Sequence, residues 1–272
     1  MHNKRYGMAL LVLLLIPINT LAETRFNISV SPPRFILKTK PGKIVRENVR
    51  FTNADTNSGT YHLKTADWDL LPNGAVKFYE GAPVKGSCRP WVRIERRVLT
   101  IRGNSSKNFR FEMHVPEKAT PGECRFALLI APDPKTVRPV RVGKIVLPVV
   151  GRIGIIVYLR VGKAKPELKV LSLRKGKLNK KTVPMLLVKN FGNAHGRPSG
   201  SLVAKDAKGR KLDLEVDQFP IMPGKSRLVP LKPVEWTRKG YKVSTMKLRF
   251  PMHIRGKVEW DGGSVKIDRV LR

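Results

Sequence analysis

Arginines set in uncharged surroundings are the side chains of this sequence best suited to chemistry. Arg152 and Arg160 interrupt the run 145–161, IVLPVVGRIGIIVYLRV, which otherwise carries no charge. A guanidinium presents a planar fork of donors that matches a carboxylate. A basic residue at the end of an apolar row therefore suits capture of the C-terminal carboxylate of an extended peptide. On a strand leading to Arg152, Val146, Pro148 and Val150 share the arginine's face, because side chains alternate. A membrane span would need ~20 apolar residues. Here Arg152 would lie near its centre, with Pro148, Gly151 and Gly154 close by. Most of the run is β-branched, which favours a pleated strand over a helix. It reads as one long strand carrying a deliberate positive charge.

Catalytic constellations are missing from the sequence. His62, His114, His195 and His253 are scattered without metal-ligand spacing and read as surface or half-buried side chains. Neither a Gly-x-Ser-x-Gly elbow nor a phosphate loop occurs. Asp67 and Asp69 flank Trp68 and share a strand face. Paired carboxylates can exchange protons, but at a strand end these two read as solvated. Asn190 to Pro198, NFGNAHGRP, is rich in turn formers and reads as a structural loop. A non-enzymatic chain without metal or cofactor is the expectation, and binding is the remaining class.

The elements that must position these side chains are strands. Turn signals recur roughly every eight to twelve residues, the spacing of an all-β sandwich. Phe26 to Leu37 reads as a first strand bent at Pro32-Pro33, and prolines suit an edge because they cannot donate to a ladder. Val45 to Asn53 alternates apolar Val45, Val49 and Phe51 with Arg46, Asn48 and Arg50. Further strands are expected over 61–68, 75–79, 91–94, 98–101, 108–115 and 124–131, followed by the run 145–161. Gly162 to Pro166 reads as a linker. Beyond it strands are expected over 168–173, 183–190, 202–204, 212–216, 227–231, 247–250, 257–260 and 265–270. Asp261-Gly262-Gly263 marks a hairpin before the last of them. The pattern predicts an all-β chain of two immunoglobulin-like sandwiches in tandem, over 23–162 and 163–272. Trp68 and Trp91 are expected in the core, and no long helix is expected.

The first residues read as a secretory signal peptide over 1–22. Lys4 and Arg5 are followed by the apolar stretch from Met8 to Ile16 and a small-residue site at Thr20-Leu21-Ala22. A soluble, exported, periplasmic protein starting at Glu23 is the expectation. Cys88 and Cys124 are the only cysteines, and an even pair in an exported chain suggests one disulfide. The net charge of +34 attracts acidic partners, an acidic protein or an anionic membrane surface among them. The basic residues are spread along the whole length without a nucleic-acid-binding motif, so nucleic acid is not an expected partner.

Four stretches together resemble the periplasmic pilus chaperones (PapD-like). They are Val30-Ser-Pro-Pro-Arg34-Phe35, Trp91 to Ile101, the turn Pro121-Gly122-Glu123, and Gly151-Arg152-Ile153. The resemblance covers most of residues 26–161. Over the second domain only the sandwich rhythm and the closing hairpin agree. It implies a chaperone that binds exported pilus or fimbrial subunits by β-strand addition and supports their assembly at the cell envelope. It implies Arg34 and Arg152 as cleft anchors for the subunit's carboxylate, with Val146, Pro148 and Val150 as the donor strand. The implied partners are a pilus-type subunit or another secreted β-protein, an outer-membrane assembly platform, and a second copy in a self-dimer. The sequence departs from the family in three places. Pro148 removes one ladder hydrogen bond from the donor strand. Thr120 to Cys124 replaces an acidic-arginine stretch, and Cys88 with Cys124 is not the usual disulfide position. The alternative is a non-catalytic envelope scaffold that recruits acidic polymers or anionic surfaces through its charge.

Overall fold

The computed structural model describes residues 26–71, 73–136, 140–142, 145–147, 151–238, 240–244 and 246–272, with backbone alone at 140–142 and 145–147. The expected signal peptide lies outside these residues, as do Pro148 and Val150.

Twelve described strands precede residue 162. They are β1 (Ile28–Ser31), β2 (Arg34–Thr39), β3 (Ile44–Asn53), β4 (Gly59–Leu70), β5 (Val76–Tyr79), β6 (Val92–Ile94), β7 (Val98–Ile101), β8 (Ser105–His114), β9 (Gly122–Pro132), β10 (Val140–Val142), β11 (Ile145–Leu147) and β12 (Ile153–Val161). One sheet has the order β1-β3-β8-β6. The other has β2-β12-β9-β4-β5, with β7 added to β4. Alternation explains why they stack. Phe109, Phe111 and Met113 of β8 point inward with Val49 and Phe51 of β3, and Phe126, Leu128 and Ile130 of β9 meet them. Phe111 meets Phe35 and Phe126 edge to face at 5.3 and 6.1 Å. The expected disulfide joins Cys88 to Cys124 within this core, with Cα atoms 5.4 Å apart.

The bend at Pro32-Pro33 proves to be a change of sheet. β1 pairs antiparallel with β3, whereas β2 pairs parallel with β12, Arg34 opposite Ile156. Two residues without an N–H let the chain leave one ladder and enter another. The long strand expected over 145–161 is corrected to two. β11 ends at Leu147 and folds back on β10, and β12 begins only at Ile153. Pro148 and Gly151 stand between them in the sequence, and neither residue type sustains a ladder.

The second unit holds β13 (Leu168–Leu178), β14 (Lys181–Asn190), β15 (Ser201–Asp206), β16 (Lys211–Val216), β17 (Ser226–Thr237), β18 (Gly240–Val243), β19 (Met252–Trp260) and β20 (Gly263–Leu271). Their order is β13-β14-β17-β16-β15-β19-β20, with β18 on β17. β17 serves both layers. Its residues 226–230 pair with β14 and 231–234 pair with β16, and Pro230 and Pro233 fall where it passes between them. Leu186, Leu202, Leu214, Leu231 and Ile254 close one core between the layers. The hairpin at Asp261-Gly262 is present, and Gly262 supplies the positive φ of 83° that it needs. The strand expected over 247–250 is absent. Met246, Leu248 and Phe250 still pack on the core, but Pro251 follows and the backbone joins no ladder.

Among the described residues there are two short 3-10 turns, and no helix is long and apolar enough to cross a membrane. The disulfide closes a separation of 36 residues, for which the chain-entropy relation gives roughly 4 kcal/mol. Cys88→Ala/Cys124→Ala is expected to lose about that much, read as a lower urea midpoint with a steeper slope, because the uncrosslinked unfolded chain exposes more surface.

Candidate functional site

β9 and β12 bury both of their faces, which is how the site between the two sandwiches arises. The inward row of β12 is Ile155, Val157, Leu159 and Val161. Its outward row is Ile156, Tyr158 and Arg160. Tyr158 joins Ala66, Trp68, Ala127 and Leu129 in a second apolar cluster, and Met222 of the second sandwich packs onto it. Trp68 is therefore buried, but on the outer side of its sheet and not between the two sheets. Its indole N–H donates to the Phe126 carbonyl at 3.0 Å. Tyr158 meets Trp68 edge to face at 5.2 Å, and the His195 imidazole stacks on it at 3.8 Å.

One carboxylate ties the two sandwiches together. Glu123, whose side chain is 1% exposed, accepts from Arg160 Nε at 3.2 Å. It also accepts from the His195 backbone N–H at 3.1 Å and from His195 Nδ1 at 2.7 Å. Arg160 donates on to the His195 carbonyl at 3.1 Å and pairs with Asp261. Burial pushes the His195 imidazole below its ordinary pKa. The Glu123 hydrogen bond opposes that push, and the charges of Arg197 and Arg160 add to it. A neutral ring donating through Nδ1 fits, because Arg160 already neutralises Glu123.

These contacts correct one reading and extend another. His195 is not a surface or half-buried residue but one of the most enclosed polar groups, and 190–198 is the structural loop expected, which also carries the contact with the first sandwich. Asn190 holds that loop in shape, its Nδ2 donating to the Ala194 and Ile221 carbonyls at 2.8 Å each. The loop then presents Asn193, His195 and Arg197 to the first sandwich. Asn193 accepts the Glu123 backbone N–H at 2.9 Å.

Beyond this junction the cleft turns electropositive. Arg34 stands exposed at the start of β2, opposite Ile156 and therefore beside Tyr158. Arg197 reaches the same place from the second sandwich, near enough to the Tyr158 hydroxyl and to Arg34 for each to act on the others' charge. Its Nη1 donates to the Gln218 carbonyl at 3.1 Å, while its buried Nε has no partner. Burial lowers the Arg197 pKa first, and the like charge of Arg34 lowers it further. Burial raises the Tyr158 phenol. Among the described residues neither arginine has an ion pair. Two guanidiniums without an ion pair and a phenol thus share one partly dehydrated corner.

The sequence reading expects Arg34 as an anchor and does not single out Arg197. Arg152 lies elsewhere. It stands four residues before Ile156, roughly 13 Å along the strand direction. It is ion-paired with Glu80, which also pairs with Lys64, and lies 5.7 Å from the centre of the Phe78 ring. Among the described residues, no strand pairs with the second side of the ladder between Arg152 and Arg34. Ile153, Gly154 and Ile155 pair with β9, and β2 joins β12 only from Ile156 onward. Val146 is on β11 opposite Arg141, while Pro148 and Val150 lie outside the described residues. Asp67 and Asp69 are structural ties. Asp67 is buried, not solvated, against Arg89 at 3.1 Å, and Asp69 pairs with Arg125 at 3.3 Å. No group of side chains among the described residues could hold a metal ion.

No protein-family model matches the chain, and no curated protein sequence does. Solved structures do match. The chain is similar to the YadV chaperone at 16% identity, over 90% of this chain and 100% of that one, with a TM-score of 0.46. It is similar to the Pseudomonas aeruginosa CupB2 chaperone at 14% identity, over 90% and 100%, with a TM-score of 0.45. It is also similar to a chain of the Salmonella enterica complex of SafA pilin with the SafB chaperone, at 12% identity, over 92% and 99%, with a TM-score of 0.45.

Removing one member of a buried ion pair typically costs about 3–5 kcal/mol, whereas replacing the pair with apolar side chains is often neutral. Glu123→Ala is expected to show the first behaviour in urea denaturation. Glu123→Met/Arg160→Met is expected to keep most of the stability yet broaden the interdomain distances seen by small-angle scattering. Below the unfolded value of 6.5, the unfolded chain takes up a proton that the folded His195 refuses. Stability is therefore expected to fall as pH drops through that value, and His195→Gln should flatten the fall between about pH 7.5 and 5.5.

Proposed function

We propose that this chain is a non-catalytic assembly chaperone of the cell envelope, which captures an exported β-rich subunit by strand addition. The subunit's C-terminal carboxylate sits between Arg34 and Arg197 and hydrogen-bonds the Tyr158 hydroxyl. The observation that carries this reading is the convergence of two unpaired guanidiniums at the end of an open strand edge. An unpaired edge offers backbone donors and acceptors to an incoming strand, and a charged group at one end sets its register.

The geometry also gives a direction. β12 runs from Arg152 toward Arg160, and the anchor lies opposite Ile156. A strand whose C-terminus ends there and which lies along Ile153–Ile155 runs parallel to β12. Its earlier residues reach back toward Arg152 and beyond. Val146, Pro148 and Val150 are the alternating apolar side chains that fill the subunit's groove in this reading. Export over the signal peptide 1–22, domains at 23–162 and 163–272, and hand-over to an outer-membrane assembly platform complete it. Arg152 takes the lesser part of holding the entry to β12 through Glu80.

Affinity capture from a periplasmic extract at physiological salt tests it. The wild-type chain is expected to hold one or two small exported β-proteins. Each charge-assisted hydrogen bond is worth about 1.5–3 kcal/mol, so Arg34→Ala/Arg197→Ala should lose them by far more than tenfold. Arg152→Ala should keep them. Equal capture by the double variant would sink the anchor. Loss in Arg152→Ala alone would move it to the other end of the edge.

A further inference from the structure

The outer face of the second sandwich carries apolar and basic side chains that strand addition does not use. β17 and β18 form a hairpin there, with Trp236 opposite Tyr241 and Val234 opposite Val243. β18 is exposed along its whole length. Trp236 is 59% exposed, Tyr241 50% and Val243 56%. The two rings lean edge to face at 5.5 Å, so they are held in a fixed pair above the sheet. The ladder carries the same face onward. Val203 shares it through Asp213, which pairs with Val234. Two residues before Asp213 and on the same strand face, Lys211 pairs with Lys205. Both lysines are exposed, and among the described residues neither has an ion pair. Of the acidic groups on this face, Asp268 is engaged by Arg255 and His253, and Glu259 by Lys257. Asp213 and Glu215 remain, against a chain of net charge +34.

Three classes of occupant can be weighed on this chemistry. A soluble acidic polymer would satisfy Lys205 and Lys211 but leave Trp236, Tyr241 and Val243 facing water. An apolar groove on another protein would cover the rings and strand the lysines. An anionic bilayer serves both. Trp and Tyr favour the boundary between headgroups and acyl chains, and lysines beside them are drawn by anionic headgroups. We propose that this face seats the protein on an anionic membrane surface, with Trp236 and Tyr241 at the headgroup–acyl boundary and Lys205 and Lys211 on lipid phosphates.

The test is co-sedimentation of the purified protein with vesicles at physiological salt. Vesicles containing phosphatidylglycerol are compared with vesicles of phosphatidylcholine alone. The expected result is binding to the former only, with tryptophan emission moving to the blue and that movement lost in Trp236→Tyr. Trp236→Ser/Tyr241→Ser and Lys205→Glu/Lys211→Glu should each weaken partitioning by about tenfold or more. All four positions are exposed, and unchanged circular dichroism would confirm that the fold is kept. Arg34→Ala/Arg197→Ala should bind vesicles like the wild type, which separates this face from the cleft. Absence of binding would overturn the proposal. So would vesicle binding that ignores the Trp236→Ser/Tyr241→Ser change, since that is diffuse attraction by net charge. Tighter binding to polyglutamate than to vesicles, equally indifferent to the two rings, would assign the face to acidic polymers instead.

Discussion

The buried carboxylate of Glu123 is the constraint on which the rest of the arrangement depends. It sits on β9 of the first sandwich, yet two of its three direct partners belong to His195 of the second. Arg160 supplies the charge that lets a carboxylate be buried there at all, and it extends the link to Asp261. Such an ion pair adds little net stability, because removing two charges from water costs about what their attraction returns. What it supplies is geometry. A stack of Tyr158 on His195 alone could slide, whereas three directed hydrogen bonds to one side chain cannot. With the 190–198 loop held in this way, Arg197 has one place to go, which is beside Tyr158 and Arg34.

The two-sided burial of β12 follows from the same junction. A strand with apolar residues on both faces must be covered on both faces. Phe126, Leu128 and Ile130 of β9, with the facing sheet, cover one side of the ladder. Met222 and His195 cover the other only toward its C-terminal end. Toward Ile153 the second sandwich gives way, and β2 has not yet joined. One strand is thus locked at its end by the domain junction and left open along its edge near its start. The corner shared by Arg34, Arg197 and Tyr158 falls at the boundary between those two regimes. Neither sandwich builds that corner by itself.

Period-two alternation and turn residues made most of the fold legible from the sequence. Val49 and Phe51, and Phe109, Phe111 and Met113, show which face is inward before any pairing is known. Arg34 enters only through the resemblance of Val30-Ser-Pro-Pro-Arg34-Phe35 to the first strand of the pilus chaperones, and neither its charge nor its spacing singles it out. Other features were hidden for identifiable reasons. Pro148 and Gly151 divide the run 145–161, but a row of β-branched residues reads the same whether one strand or two. Asp67 reads as solvated until Arg89, 22 residues away, is seen beside it. His195 and Arg197 sit in a segment full of turn formers, and their partners Glu123 and Tyr158 lie 72 and 39 residues away. No local pattern records a meeting between domains. The one clue was Asn190, since an asparagine after an apolar strand can organise a loop through its side chain.

The electrostatics of the cleft bear on the function proposed for it. Arg34 and Arg197 disfavour each other, and the second has a buried Nε with no acceptor. A group held in that condition leaves free energy to be recovered when an acceptor arrives. A carboxylate placed between the two guanidiniums removes a repulsion as well as forming hydrogen bonds, and it does so where Tyr158, Met222 and the loop exclude much of the water. The same anion near Arg152 would have to compete with Glu80, which already occupies that guanidinium. In the proposed function, strength of binding at the corner comes from what the fold withholds from Arg34 and Arg197. The Glu123 junction maintains that deprivation by fixing the loop that carries Arg197 while spending its own charge on Arg160.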